Sequence, residues 1–194
     1  MSEAEKGHTE VVRFLVEEGK ADVDKAQASD GATPLFMAAQ CGHLEVIKLL
    51  LDKGADWTVG MRDNGWSPLF VASWAGNAAA VAELLGRQAA DPATATTSEH
   101  LGIPAGSTAL SVAELKGHDD VVRIFADSKD AKRAARMHDC LGDTPLHCAV
   151  MSGNLKCGRI LLERKTNANV NARNGYVNDV LRTWSNVGCA RITV

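Results

Sequence analysis

Between Gly142 and Asn154 the chain reads GDTPLHCAVMSGN, which places the hydroxyl of Thr144, the imidazole of His147 and the thiol of Cys148 within five positions. A histidine beside a cysteine is the raw material of a thiolate nucleophile and its base. With His138 and Cys140 just upstream, the His and Cys residues also offer four candidate zinc ligands in eleven positions. Neither chemistry is complete. A nucleophile needs a third group to orient its base and donors for an oxyanion, and no such group is signalled. Zinc sites pair their ligands at Cys-x-x-Cys or His-x-x-x-His spacing, and no such pair occurs around these residues. The expectation is therefore no catalytic residue, no metal and no cofactor, with Cys157 read as a small buried hydrophobe.

The stretch is also not unique. GATPLFMAAQCGH begins at 31, GWSPLFVASWAGN at 65 and GSTALSVAELKGH at 106. In all four, Gly, Ser or Thr, Leu, Ala and Gly hold the same offsets, and the second Gly follows the Ser/Thr by nine residues (33 to 42, 67 to 76, 108 to 117, 144 to 153). The Ser/Thr positions lie 34, 41 and 36 residues apart. A headless fifth copy, GHTEVVRFLVEEGKADVD, starts at Gly7. Fixed periods of this size are the mark of a repeat architecture.

Each unit has a readable physics. Thr144 suits a helix cap, and Pro145 suits the first helical position, where no donor is needed. Leu146, Ala149 and Val150 fall on one helical face, and Gly153 closes the helix where a left-handed residue costs least. A second helix follows, burying Ile160, Leu161 and Leu162; in other copies Val46, Ile47, Leu50 and Leu51, or Val121, Val122 and Phe125, take this role. Two short helices cannot bury both apolar faces alone, so stacking of copies is required. Gly158 sits inside a helix and should weaken its copy by roughly 0.5–1 kcal/mol relative to Ala.

Gly-x-Thr-Pro-Leu-His-x-Ala, then Gly-His, a Val/Leu helix and Gly-Ala-Asp, resembles the ankyrin repeat. The copy from DGATPL to GADWT is nearly ideal; others depart, with Ala109 for the proline and Gln88, Lys129 and Lys165 for the closing glycine of the second helix. The resemblance implies an all-α fold, an α-solenoid of helix-turn-helix repeats whose β-hairpin loops project as fingers. It covers residues 1–173 as about five repeats: 7–29 (partial), 30–62, 63–96, 97–136 (with an insertion) and 137–173. Residues 174–194 are either a degenerate C-terminal cap or a truncated repeat; Val177, Val180, Leu181 and Trp184 could form a one-face capping helix. In the family, the histidine at the position of His147 braces neighbouring loops.

Function is then sought where copies differ. Trp66 stands on a finger and Trp74 on the following first helix, positions that the resemblance places on the concave surface. Two tryptophans there read either as an interface anchor or as packing. Around them lie Asp63, Asn64 and Gln40, and further along Asp143 and Met151, a mixed and mildly acidic set suited to a partner with polar or basic contacts around an apolar anchor. Trp57 is read as packing. Residues 88–103, QAADPATATTSEHLGI, read as a mobile insertion, and the basic run 129–136, KDAKRAAR, as a solvated helix extension, with an acidic partner or nuclear import as the alternative.

Bulk numbers narrow the classes. A formal charge of −3 and a pI near 6.1 disfavour a dedicated nucleic-acid binder. No apolar run suits a bilayer, and the polar, acidic start MSEAEKGHTE does not suit a secretory signal. Five irregularly spaced cysteines (41, 140, 148, 157, 189) point to a reducing compartment, hence the cytoplasm with the nucleus as alternative. The expectation is a non-catalytic protein–protein interaction module, monomeric, binding an unidentified protein. The alternative is a regulatory or targeting segment of a larger enzyme or signalling protein.

Overall fold

A computed structural model describes residues 2–87, 91–164, 166 and 168–175. The chain divides into two compact units, Met1–Asp91 and Pro92–Val194. The expected cap at 174–194, with Val177, Val180, Leu181 and Trp184, lies beyond Gly175 and so almost wholly outside the described residues.

Unit 1 contains α1 (Ser2–Glu5), α2 (Thr9–Glu17), α3 (Pro34–Cys41), α4 (Leu44–Asp52), α5 (Pro68–Ala75) and α6 (Ala78–Gly86). The first helix of each pair starts as its residues dictate. Thr33 Oγ1 accepts the Phe36 N–H at 3.2 Å, Ser67 Oγ accepts the Phe70 N–H at 3.2 Å, and Pro34 and Pro68 occupy the first turn. Both helices end at glycines in the left-handed region, Gly42 at φ 76° and Gly76 at φ 77°. At Gly42 an added Cβ would also meet the Asn77 side chain at 2.8 Å, so close approach adds to the backbone requirement. The single turn α1 packs on α3 and buries Ala4, ahead of the copy that begins at Gly7. Leu35, Ile47, Leu50, Leu69, Phe70 and Leu84 form the interior, each worth roughly 1.5–3 kcal/mol of burial.

Unit 2 contains α7 (Ala109–Lys116), α8 (Asp119–Asp127), α9 (Ala131–Ala134), α10 (Pro145–Ser152) and α11 (Leu155–Glu163). Here α7 packs on α10 and α8 on α11. Thr108 makes a reciprocal cap, its Oγ1 accepting the Ser111 N–H at 3.2 Å while Ser111 Oγ accepts the Thr108 N–H at 2.8 Å. The basic run is held as one helical turn: Ala131, Ala134 and Ala135 are buried, while Lys132, Arg133 and Arg136 are exposed.

The fingers are hairpin turns too short to become strands. Gln27 pairs with Ala32, Met61 with Trp66, Thr96 with Ser107 and Asp139 with Asp143 through backbone bonds. Backbone bonds join successive fingers, Arg62 N–H to Asp30 O at 3.0 Å in unit 1, and Cys140 N–H to Ala105 O at 2.8 Å and Gly175 N–H to Leu141 O at 2.6 Å in unit 2. The insertion departs from expectation. Its described part is pinned by Gly106 N–H to Thr96 O and by mutual bonds between His100 and Ile103, and Ala93, Thr96 and Ile103 are buried.

Candidate functional site

In unit 1 the finger and α5 bring the aromatic residues together. Asn64 Oδ1 accepts the Trp66 N–H at 2.9 Å, and Gly65 at φ 69° turns the chain into the cap at Ser67. Trp66, Phe70 and Trp74 are then four residues apart along one side. The Trp66 ring lies 5.0 Å from Phe70 and 5.8 Å from Trp74, tilted by 43° and 46°. These tilted arrangements favour aromatic pairs beyond simple burial. The outcome divides the expected set. Trp66 is only 4% exposed and Asn64 1%, so neither presents its side chain as a surface contact. Trp74 and Gln40 are half-buried and Asp63 is exposed. Trp66 is the layer behind Trp74, covered because its indole lies along Phe70 and Trp74.

The backbone beneath this patch is fixed across repeats. Asn77 Nδ2 donates to the carbonyls of Ala39 at 3.0 Å and Gln40 at 2.8 Å, satisfying two carbonyls at the end of α3. His43, at the equivalent position one copy earlier, reaches Glu5 O at 2.7 Å.

In unit 2, Asp143 and Met151 line one cleft of about 240 Å³ together with Asp139, Ser107, Ser111 and Leu115. Asp143 is buried, at 4% exposure, and takes the Asn174 Nδ2 donor at 2.9 Å, which corrects its expected role as an open contact. Asp139 Oδ1 accepts the N–H groups of Leu141 and Asp143, both at 2.9 Å. Burial nonetheless raises its carboxyl above the ordinary range, with the Asp143 charge adding to the effect. A second, apolar cleft of about 500 Å³ is lined by Leu146, Val150, Leu155, Leu162 and Val170. Leu162, expected on the buried side of its helix, is 52% exposed there.

His147 and Cys148 have architectural surroundings. His147 is fully buried, and its Nδ1 accepts the Thr144 N–H at 3.3 Å with Thr144 Oγ1 2.9 Å away. It closes the start of α10 as Ser111 closes α7. Cys148 is buried beside it, and burial drives its thiol well above the ordinary range, with Asp139, Asp143 and Glu114 acting in the same direction. A thiol held protonated is a poor nucleophile. Cys140 is exposed on the finger, and no group of three His, Cys, Asp or Glu among the described residues is arranged to hold a metal.

One group escaped the reading of the sequence. Glu114 on α7 is completely buried, and burial pushes its carboxyl well above the ordinary range, with Asp119 raising it further and the Cys157 thiol opposing. Cys157 also donates to Asp119 Oδ1 at 3.0 Å. The available signal was positional, since the other copies carry Ala39, Ser73 and Val150 at this offset.

A family model described as ankyrin repeats (3 copies) matches residues 1–96 and again 91–174. The chain belongs to the ankyrin repeat family. Curated proteins agree over shorter stretches. The chain is 38% identical over 87 residues to the mouse ankyrin repeat and SAM domain-containing protein 6, covering 45% of this chain and 10% of that protein. It is 50% identical over 50 residues to the zebrafish protein of the same name, 26% of this chain and 7% of that one. A third match, 36% over 62 residues, is to the glycerophosphocholine phosphodiesterase GDE1 of Candida albicans, covering 32% of this chain and 5% of the enzyme. The chain thus spans a tenth or less of these relatives. Ankyrin repeats are generally protein-interaction modules and typically non-catalytic. Among the described residues of this ankyrin repeat chain, no helix is long and apolar enough to cross a membrane.

Proposed function

We propose that the chain is a non-catalytic module that binds a protein partner through the face formed by its fingers and first helices. The observation that carries this reading is the half-buried Trp74 held over a buried Trp66. A rigid aromatic on a fixed backbone gives contact area at little entropic cost, as binding hot spots do. In unit 2, Met151 contributes through the cleft it lines. The partner brings an apolar group for Trp74 and polar or basic groups around it. The test is affinity capture with wild type and Trp74→Ala, read by mass spectrometry, with circular dichroism as the folding control. Capture of the same proteins by both chains, in equal yield, would sink the assignment.

A second reading has its own support. The short coverage of the curated relatives suits a regulatory or targeting segment of a larger enzyme or signalling protein. The full reading frame tests it, since flanking catalytic sequence supports it and its absence refutes it. A cytoplasmic location, with the nucleus as alternative, draws on four described cysteines that are all free thiols. Cell fractionation tests that location, and sedimentation tests the monomeric state.

A further inference from the structure

Unit 2 holds another cleft of opposite character. An open cavity of about 700 Å³ lies between the finger at 136–144 and the chain at 168–173, with Arg136, His138, Thr144, Asn169 and Arg173 as its polar lining. Among the described residues the rest of the lining is alanine and glycine, so two arginines and a histidine line a space with no carboxylate in its described wall.

The finger explains this sorting of charge. Its own acidic residues, Asp139 and Asp143, are buried and turned into the neighbouring cleft, where they take N–H groups from Leu141, Asp143 and Asn174. The cations are left on the other side. Arg136 and Arg173 are exposed, and neither forms an ion pair with another described residue. Both rise from fixed backbone. Arg136 follows the turn anchored by buried Ala134 and Ala135. Arg173 lies between a turn in which Asn169 Oδ1 accepts the Asn171 N–H at 3.0 Å and the buried Asn174.

Charge along the sequence supports the same conclusion independently. Met1–Asp91 carries eight Lys and Arg against fourteen Asp and Glu, a formal −6, whereas Pro92–Val194 carries thirteen against ten, a formal +3. The basic excess falls in the unit that contains the cleft, and Lys129, Lys132 and Arg133 add to it nearby.

We propose that this cleft is a docking site for an acidic peptide segment of a partner protein, whose Asp or Glu carboxylates are met by Arg136 and Arg173. Guanidinium forks match carboxylates in shape and charge, and open clefts suit an extended segment. A nucleic acid fits less well. Among the described residues the wall offers no aromatic side chain for base stacking, and the chain as a whole is anionic. The proposal rests on the reading of the chain as a protein-binding module but uses none of the aromatic patch in unit 1.

The test uses the intact chain and a fluorescein-labelled synthetic peptide rich in Glu and Asp with Gly and Ser spacers, followed by fluorescence anisotropy. The control is the same peptide with Gln and Asn in place of the acids. The acidic peptide is expected to bind at low salt and weaken as salt is added. The double variant Arg136→Ala/Arg173→Ala should weaken binding about tenfold or more. Trp74→Ala, on α5 of unit 1, should leave it unchanged, which separates a failure here from a failure of the aromatic patch. Equal binding by the double variant, equal binding of the control peptide, or no binding at low salt would each overturn the proposal. So would stronger competition by oligouridine or by a phosphoserine peptide lacking Asp and Glu.

Discussion

The indole rings of Trp66 and Trp74 lie 5.8 Å apart at 46°, yet only Trp74 reaches solvent. Their removal should therefore have different consequences. Trp66→Ala empties a buried site against Phe70 and should cost about 3–5 kcal/mol, as large aromatic deletions in cores do. Trp74→Ala should cost clearly less stability and act mainly on partner capture. Chemical denaturation of both variants checks the order; equal losses would refute the layered arrangement.

Two glycines should respond oppositely to alanine. Gly42 has φ 76° and an added Cβ would press on Asn77, so Gly42→Ala should cost at least about 1–2 kcal/mol. Gly158 lies within α11, and its nearest neighbours to a new Cβ are the Ala149 and Leu146 side chains at 3.8 Å, ordinary contact. Gly158→Ala should stabilise unit 2 by about 0.5–1 kcal/mol. Thermal melts of the pair give the signs directly.

Much of this fold was legible because its signals are local and repeated. A Ser or Thr before Pro, and a Gly nine residues on, bracket α3, α5 and α10 at those residues, and α7 tolerates Ala109 in place of proline. The insertion was misread because Thr96 pairs with Ser107 and Gly106 across a register that its Ala, Thr and Ser content does not encode. Side-chain exposure was likewise hidden. Trp66 and Trp74 are the same residue type, and only the run of the indole along α5 makes one a core residue. The cleft between Arg136 and Arg173 depends on which way the finger turns its aspartates, a property of the folded loop.

Thiol reactivity should follow burial. Cys41 and Cys140 are exposed, whereas Cys148 and Cys157 are buried with thiols raised by burial and by nearby carboxylates. Brief alkylation of the native chain, mapped residue by residue by mass spectrometry, should label Cys140 and Cys41 first. Cys148 and Cys157 should label only after denaturant is added. Rapid native labelling of Cys148 would reopen the case for a reactive His147–Cys148 pair.

Glu114 makes stability depend on pH in a direction unusual for a carboxyl. Its side chain faces Asp119 of α8, Cys148 of α10 and Cys157 of α11, and Lys156 is engaged with Asp119. Burial, with Asp119 adding to it, makes the folded chain hold the Glu114 proton more tightly than the unfolded chain does. The unfolded chain releases that proton near the ordinary value of 4.5, so above it the folded state binds more protons and stability falls as pH rises. This contribution is complete below 4.5 and is lost as pH rises through the raised folded value. Asp119 runs the other way: burial opposes its charge, but Lys156, Cys157 and Asn154 hold its carboxyl below the usual range, so its contribution is lost only in acid. Glu114→Gln keeps the shape without the titration and should leave unit 2 more stable than wild type in alkaline buffer, with the advantage shrinking as pH falls. Urea melts of both chains across that range measure the difference, and a constant gap between them would show that Glu114 does not titrate with unfolding.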